Sequence, residues 1–179
     1  MRKIMIAVLA VIMVLSASEK AVLDNSKVTG YSITGETGSY LELNYDLKDI
    51  SYSDVPTEKG VFTSVTIDNG YLTREEGSPA LPSFHNLIAM PYGAEPEVEV
   101  VSYTSKVYNL SELGIGNMIM PAQPSYSKSS KPEERLFVYN ESAYKTSGLK
   151  GTEIATVSKS GTMRGVGVGV LKVNPFRYD

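Results

Sequence analysis

The stretch from Tyr40 to Leu47 reads Tyr-Leu-Glu-Leu-Asn-Tyr-Asp-Leu. In an extended chain the leucines and the second tyrosine fall on one side, while the glutamate, asparagine and aspartate fall on the other. An apolar–polar alternation with a period of two is typical of a β-strand with one buried face. This stretch therefore predicts a half-buried strand.

The same kind of pattern recurs along the chain. Further strands are predicted at 61–67, 87–90, 97–103, 136–139, 153–158 and 166–173. Asp68-Asn69-Gly70 predicts a tight turn, because asparagine and glycine tolerate positive φ. Helical signals are confined to one candidate turn at 109–114, with Ser111 as its candidate N-cap.

Seven or eight short strands separated by Gly, Pro, Ser and Asn predict an all-β chain. The expected architecture is a single antiparallel β-sandwich or jelly-roll-like domain over residues 40–179. Residues 19–39 are polar and contain three glycines, so they predict a loose N-terminal lead-in. The glycine–valine alternation at 166–170 predicts a strand with a bend or a close backbone approach.

Residues 1–18 have the pattern of a secretion signal. Arg2 and Lys3 precede an unbroken apolar run from Ile4 to Leu15, and Ser16-Ala17-Ser18 supplies the small residues that signal peptidase reads. The run is shorter than the roughly 20 residues of a membrane-spanning helix. We therefore expect cleavage after Ser18 and a secreted chain, with a retained signal anchor as the alternative.

The charge of the mature chain excludes some partners. Removal of residues 1–18 leaves 15 Lys and Arg against 20 Asp and Glu, a formal charge of −5. This balance provides no basic face for nucleic acid and no polybasic patch for anionic lipid. We therefore expect neither nucleic acid nor membrane as a partner of the mature chain.

The sequence carries little catalytic or metal-binding chemistry. It contains no cysteine and a single histidine, His85, which lies between Phe84 and Asn86 at the start of an apolar strand. No Gly-x-Ser-x-Gly elbow and no metal-ligand spacing accompanies it. A surface or rim histidine is the better interpretation, and we expect a non-catalytic chain without cofactor or metal.

One long irregular stretch stands out. Residues 121–134 contain three prolines among serines and lysines, and proline lacks the N–H that a central strand needs. Loops of this length within a domain are usually functional or disordered. The basic side chains here are Lys128 and Lys131, with Arg135 at the far edge; the alternative for all three is a solvated loop that aids solubility.

Several motifs, in order, resemble the N-terminal propeptide of gingipain-type cysteine endopeptidases. They are Glu-Glu-Gly-Ser-Pro-Ala-Leu-Pro at 75–82, Tyr-Gly-Ala at 92–94, the valine strand at 98–101, Pro-Ala-Gln-Pro at 121–124, Met-Arg-Gly at 163–165 and Asn-Pro-Phe-Arg-Tyr at 174–178. Each motif alone is weak, but the ordered set covers residues 40–179. The resemblance implies a β-sandwich that assists folding of a secreted cysteine peptidase and keeps it latent.

The resemblance also implies an inhibitory mechanism and a partner. A basic side chain of a long loop would enter the primary specificity pocket of the cognate catalytic domain, as a substrate would. The matching loop is 121–135, which makes Lys128 or Lys131 the candidate plug and Arg135 the third candidate. Arg177-Tyr178 is a candidate processing site for an arginine-specific peptidase, with ordinary strand sequence as the alternative.

The chain departs from the family in two respects. The catalytic domain with its histidine and cysteine is not in this sequence, so a prodomain fragment, a truncated product or a standalone relative is expected. Its last residues stop where family members continue into further strands, which predicts an open sheet edge. A second class of function stays open: a secreted β-sandwich module that binds glycans or cell surfaces through its 12 tyrosines.

Overall fold

The computed structural model describes residues 18–73, 75–129, 131, 135–145, 147–148 and 153–179. The predicted signal peptide lies outside these residues except for Ser18, and part of the 121–135 loop lies outside them as well. The strands are β1 Glu19–Val22, β2 Gly30–Glu36, β3 Leu41–Asp46, β4 Asp49–Thr57, β5 Gly60–Thr66, β6 Tyr71–Leu72, β7 Pro82–Met90, β8 Ala155–Met163 and β9 Val166–Val173. A 3-10 turn at Leu110–Leu113 and one short helix, α1 Glu141–Lys145, complete the described elements.

The strands form three antiparallel groups. The first sheet has the order β1-β4-β5, β2 and β3 form a separate hairpin, and the second sheet has the order β6-β7-β9-β8. β9 is central in the second sheet, with β7 on one side and β8 on the other. The prediction of an all-β, antiparallel chain is therefore confirmed.

One buried cluster joins the two larger sheets. The first sheet contributes Ile50 and Val65, and the second contributes Phe84, Leu171 and Val173. The same cluster includes Ile67, Ile115 and Ile119 from the connections. The apolar face predicted for the 40–47 stretch also lies against it, through Leu43, Tyr45 and Leu47. Because each sheet has one apolar face, packing the two faces together removes both from water.

β5 is covered on both sides, which its alternation alone does not indicate. Val65 lies in the shared core, while Phe62, on the opposite face, is only 1% exposed. Phe62 is covered by the rings of Phe137 and Tyr139, each 5.7 Å away between ring centroids. Thr63, with no exposed surface, donates its hydroxyl hydrogen to Asp54 Oδ1 at 2.6 Å.

The expectation of a loose lead-in over residues 19–39 is wrong. β1 pairs with β4 from Glu19 onward, and β2 pairs with β3. Ala21 and Leu23 pack against the core cluster. The polar composition of this stretch reflects an edge strand and an exposed hairpin rather than an unstructured chain, since edge strands tolerate polar side chains on their solvent side.

The strand predicted at 97–103 is also absent. In the described structure residues 94–108 belong to no strand, and Val101 and Tyr103 are 79% and 67% exposed. An alternating sequence forms a strand only where a neighbouring strand provides hydrogen-bond partners for its backbone N–H and C=O groups. No described strand pairs with this stretch. We call residues 91–109 the exposed segment.

Two turn predictions are confirmed and one cap is corrected. Asn69 has φ of 56°, and Gly70 N donates to Ile67 O at 3.1 Å, as the turn motif predicted. The turn at 110–113 exists, but its N-cap is Asn109 rather than Ser111, with the Glu112 carboxylate accepting from Asn109 N at 3.2 Å.

The glycines of β9 allow the close approach that their pattern predicted. A Cβ placed on Gly167 would lie 3.1 Å from the carbonyl oxygens of both Met90 and Pro91. The strand predicted at 153–158 is β8, shifted to Ala155–Met163, and the one predicted at 166–173 is β9 with the same bounds.

Candidate inhibitory loop and its base

The basic loop, residues 121–135, has its candidate plug residues on the surface. Lys128 lies in a turn and is exposed, as are Lys131 and Arg135. Within the described residues the Lys128 ammonium has no hydrogen bond or ion pair. Lys128 is therefore presented to solvent.

The basic loop begins at the edge of the first sheet. Thr63 of β5 donates its N–H to Met118 O at 2.8 Å, and Met120 N donates to Thr63 O at 2.8 Å. Next along the chain, Ala122 N donates to Ser78 O at 2.8 Å, and Gly77 N donates to Ala122 O at 2.8 Å. Residues 118–122 are thus held between β5 and the 76–80 segment.

The return of the chain after the loop is anchored at the same place. Asn140 N donates to Gly77 O at 3.0 Å. Gly77 has φ of 78°, and a Cβ there would lie 2.9 Å from Asn140 N. We call the three segments 76–80, 118–123 and 138–140 the loop base. The Gly-Ser-Pro motif at 77–79 therefore serves to bring both ends of the loop together.

A side chain completes the loop base where the backbone does not. The Gln123 amide donates from Nε2 to Val138 O at 2.8 Å and to Pro121 O at 3.0 Å, and its Oε1 accepts from Val138 N at 2.9 Å. The strand predicted at 136–139 is wrong, because the backbone groups of Val138 bond to a side-chain amide rather than to a neighbouring strand. Further out, Tyr126 donates its hydroxyl hydrogen to Leu136 O at 2.8 Å.

An aromatic cluster supports the returning chain. It runs from Phe62 through Tyr139 to Tyr144 and ends at Tyr178, with ring centroids 5.7, 4.9 and 6.2 Å apart. Tyr144 donates its hydroxyl hydrogen to Ile119 O at 2.8 Å. Burial, together with the neighbouring Tyr178 and Tyr139, raises the pKa of Tyr144 well above its ordinary value. Tyr144 therefore stays a neutral donor and ties α1 to the loop base.

The two residues of the candidate processing site have different environments. Arg177 is exposed, whereas Tyr178 is half-buried and packs against the core cluster. Asp179 Oδ1 accepts from Gly148 N at 2.7 Å. A peptidase that cuts after Arg177 would first have to detach Tyr178, and the site stays a prediction.

His85 is engaged in local structure. Its ring stacks on Tyr71, with centroids 5.0 Å apart, and its Nε2 lies 3.1 Å from Ser83 Oγ. Ser83 donates its hydroxyl hydrogen to Tyr71 O at 3.0 Å and has no exposed surface, so the pair offers no nucleophile to a substrate. In the described part of the chain, no three His, Asp or Glu side chains are grouped to hold a metal ion.

The exposed segment is a second surface, and the strand predicted at 97–103 falls within it. It includes Lys106, an exposed cation whose charge acts on Asp24 and helps to hold the pKa of that carboxyl below its ordinary value, after the larger effect of hydrogen bonds from Ser26. The Tyr108 hydroxyl donates to Leu23 O at 3.1 Å, and Lys159 Nζ lies 2.6 Å from Glu95 Oε1. The sequence signal was a valine-rich run with no proline to interrupt it.

Comparison with known proteins decides the family. The sequence profile of the family described as Propeptide_C25 matches residues 24–179. The chain belongs to this family. The gingipain-type resemblance carried by the ordered motifs is thereby confirmed. The prediction of a non-catalytic chain is confirmed by the same membership, because the propeptide is the non-catalytic part of such peptidases.

Curated relatives agree with this assignment. A Lys-gingipain of Porphyromonas gingivalis is 38% identical over 182 residues, which is all of this chain but 10% of the relative. A gingipain R2 of the same organism is 28% identical over 141 residues, 79% of this chain and 18% of the relative. The chain thus spans about a tenth of the length of the Lys-gingipains it matches.

Two solved structures share the fold of this propeptide. One, described as "Structural insight into zymogenic latency of gingipain K from Porphyromonas gingivalis", has a TM-score of 0.84 and 39% identity, covering 91% of this chain and 88% of the other. The second, "Complex of Porphyromonas gingivalis RgpB pro- and mature domains", has a TM-score of 0.66 and 25% identity, covering 83% and 74%.

The described residues were also compared with the length and hydropathy that a membrane-spanning helix requires. No helix among them is long and apolar enough to cross a bilayer.

Proposed function

We propose that this propeptide assists the folding of a secreted gingipain-like cysteine endopeptidase and keeps it latent by inserting a basic side chain of the basic loop into the specificity pocket. Lys128 is the first candidate, followed by Lys131 and Arg135. The observation that carries the proposal is the exposed Lys128 on a loop whose two ends are held together at the loop base. The similarity to a structure of gingipain K latency supports the same role.

The physical basis of inhibition is a charge-assisted contact. A Lys ammonium that enters an acidic pocket pairs with a carboxylate from which water has been removed. Removal of one partner of such a buried, hydrogen-bonded pair costs about 2–5 kcal/mol, which corresponds to roughly 30-fold to several-thousand-fold in affinity. A solvated lysine without a partner would contribute almost nothing.

The test measures inhibition in trans. Residues 19–179 are added to the catalytic domains of Lys-gingipain and gingipain R2, and the inhibition constant is measured for the parent, Lys128→Ala, Lys131→Ala and Arg135→Ala. One of these substitutions is expected to weaken inhibition at least 30-fold. Lys59→Ala, at an exposed turn position, is the matched control and is expected to leave inhibition unchanged.

The exposed segment contains a rival candidate for the inserted basic residue. Lys106→Ala belongs in the same series, since that lysine also lies on a long exposed stretch outside the sheets. Loss of inhibition in Lys106→Ala alone, with all three basic-loop variants unaffected, would move the insertion site to the exposed segment. Full inhibition by every variant would remove substrate-like insertion altogether.

The finer architecture and the location of the chain belong to the same proposal. The shared core between the two larger sheets supports a β-sandwich with jelly-roll-like character. Residues 1–18 are proposed as a signal peptide, and β1 begins directly after them at Glu19. Export in a bacterial host followed by amino-terminal sequencing is expected to find Glu19 first, and an uncleaved Met1 would contradict the signal assignment.

The glycan-binding alternative has less support. Exposed tyrosines are spread over separate elements, with Tyr31 in β2, Tyr71 in β6, and Tyr92 and Tyr103 in the exposed segment. A carbohydrate platform needs aromatic rings side by side on one face. The cognate peptidase catalytic domain is therefore the partner that we propose.

A further inference from the structure

The Gln123 side chain uses all of its hydrogen-bonding groups on backbone atoms at the loop base. Both Nε2 hydrogens are donated, one to Val138 O and one to Pro121 O, while Oε1 accepts from Val138 N. Toward Val138 the side-chain amide presents a donor and an acceptor side by side, which is the arrangement of a peptide unit in a ladder. The side-chain amide of Gln123 therefore takes the place of one peptide group of a neighbouring strand.

The neighbouring prolines explain why a side chain is needed here. Pro121 and Pro124 have no N–H, so the main chain at these positions cannot donate a hydrogen bond to the returning segment 138–140. Without Gln123, both polar groups of the half-buried Val138 would lose their protein partner. A polar group left unsatisfied in such a place is costly, and the returning segment 138–140 would lose the side-chain hydrogen bonds that hold it beside residue 123.

We infer that Gln123 is a positioning residue for latency, which fixes the spacing of the two ends of the basic loop so that its basic side chain reaches the partner in one arrangement. The inference rests on the proposed function of the basic loop. The amide of Gln123 is engaged with Pro121 and Val138 of its own chain, so Gln123 acts through the loop. The Gly77–Asn140 hydrogen bond holds the same base, and the Tyr126–Leu136 hydrogen bond joins the two sides of the loop further out. The loss of Gln123 is therefore expected to loosen the loop without unfolding the domain.

The first measurement reports the loop directly. Because the chain has no cysteine, Ser129→Cys gives a single site for a nitroxide spin label in the exposed turn. Gln123→Leu, of similar volume but without hydrogen bonds, is expected to give a more mobile spectrum of this label. A second label at Ser102→Cys, in the exposed segment, is expected to be unaffected, and Tyr45→Phe, which removes one hydrogen bond to Asn86 elsewhere, is the matched control.

A pH signature separates hydrogen bonding from packing. In Gln123→Glu the carboxylate at neutral pH faces two carbonyl oxygens, of Pro121 and Val138, and repels both. Once protonated at low pH, the carboxylic acid can again donate to one of them. The label at position 129 is therefore expected to become less mobile between pH 7 and pH 4 in Gln123→Glu and to show no such change in Gln123→Leu.

The second measurement is inhibition of the gingipain catalytic domains in trans. The measured affinity is proportional to the fraction of molecules whose loop is in the binding-competent arrangement. Gln123→Leu is expected to lower this fraction and thereby to weaken inhibition about tenfold. Tyr45→Phe is expected to leave it unchanged.

The outcomes separate the inference from the proposed function. The inference is overturned if Gln123→Leu leaves the mobility of the label unchanged. It is also overturned if Gln123→Leu loosens the loop but still inhibits fully, while Lys128→Ala, Lys131→Ala or Arg135→Ala weakens inhibition. If the lysine and arginine variants of the basic loop all inhibit fully, the proposed function fails at this loop, and the inference fails with it.

Discussion

Gly77→Ala is expected to weaken the loop base and destabilise the whole domain. Gly77 has φ of 78°, and the new Cβ would lie 2.9 Å from Asn140 N, 3.1 Å from Asn140 Cβ and 3.3 Å from Val138 Cγ1. A left-handed conformation costs an alanine about 1–2 kcal/mol. Displacing a packed backbone costs about 1–3 kcal/mol more. The sum is a loss of about 2–5 kcal/mol in the free energy of unfolding.

Gly93→Ala is the matched control. Gly93 has nearly the same φ, 79°, but nothing lies within 4 Å of its Cβ position. It therefore pays the conformational cost of about 1–2 kcal/mol without the steric one. Both substitutions change the entropy of the unfolded chain in the same way, so the difference between the two variants isolates the close approach of Gly77 to Asn140.

The assay is urea unfolding of residues 19–179 followed by circular dichroism, with both variants measured beside the parent. A thermal scan provides a second reading, since each 1 kcal/mol corresponds to about 2–4 °C in a domain of this size. Equal midpoints for Gly77→Ala and Gly93→Ala would refute the argument, because the predicted contact at the loop base would then carry no energy.

Two further predictions concern electrostatics. Burial, with Tyr31 close by, raises the pKa of Tyr45 to about 12, so the unfolded tyrosine, with a pKa of about 10, ionises first. The stability that Tyr45 contributes through this difference in pKa is complete below about pH 10 and is lost between about pH 10 and 12. Tyr45→Phe is expected to remove this part of the decline in urea midpoints measured from about pH 8 to 12. An identical decline in both proteins would contradict the prediction. Lys159→Ala breaks the exposed 2.6 Å contact with Glu95 and is expected to change the free energy of unfolding by less than about 1 kcal/mol, whereas a larger shift in the urea midpoint would mean that this pair holds the exposed segment in place.

Local sequence patterns correctly predicted strands that pair with neighbouring strands through their backbones, and tight turns. β9 has the predicted bounds, and the Asn69-Gly70 turn forms as expected, because φ preferences and period-two alternation are properties of adjacent residues. The family resemblance was also readable, since it depends on the order of short motifs. The long basic loop was also visible, because Pro121, Pro124 and Pro132 lie close together and each removes an N–H that a central strand needs.

An antiparallel β chain, its main turns and a proline-rich basic loop follow from the amino-acid sequence alone. Three features depend on the fold: residues 97–103 belong to no strand, β1 and β2 pair with β4 and β3, and Gln123 closes the loop base across 15 residues. Pairing depends on which backbone groups meet in space, and alternation along one strand carries no information about its neighbour. A side-chain amide that replaces a strand leaves no periodic signal at all.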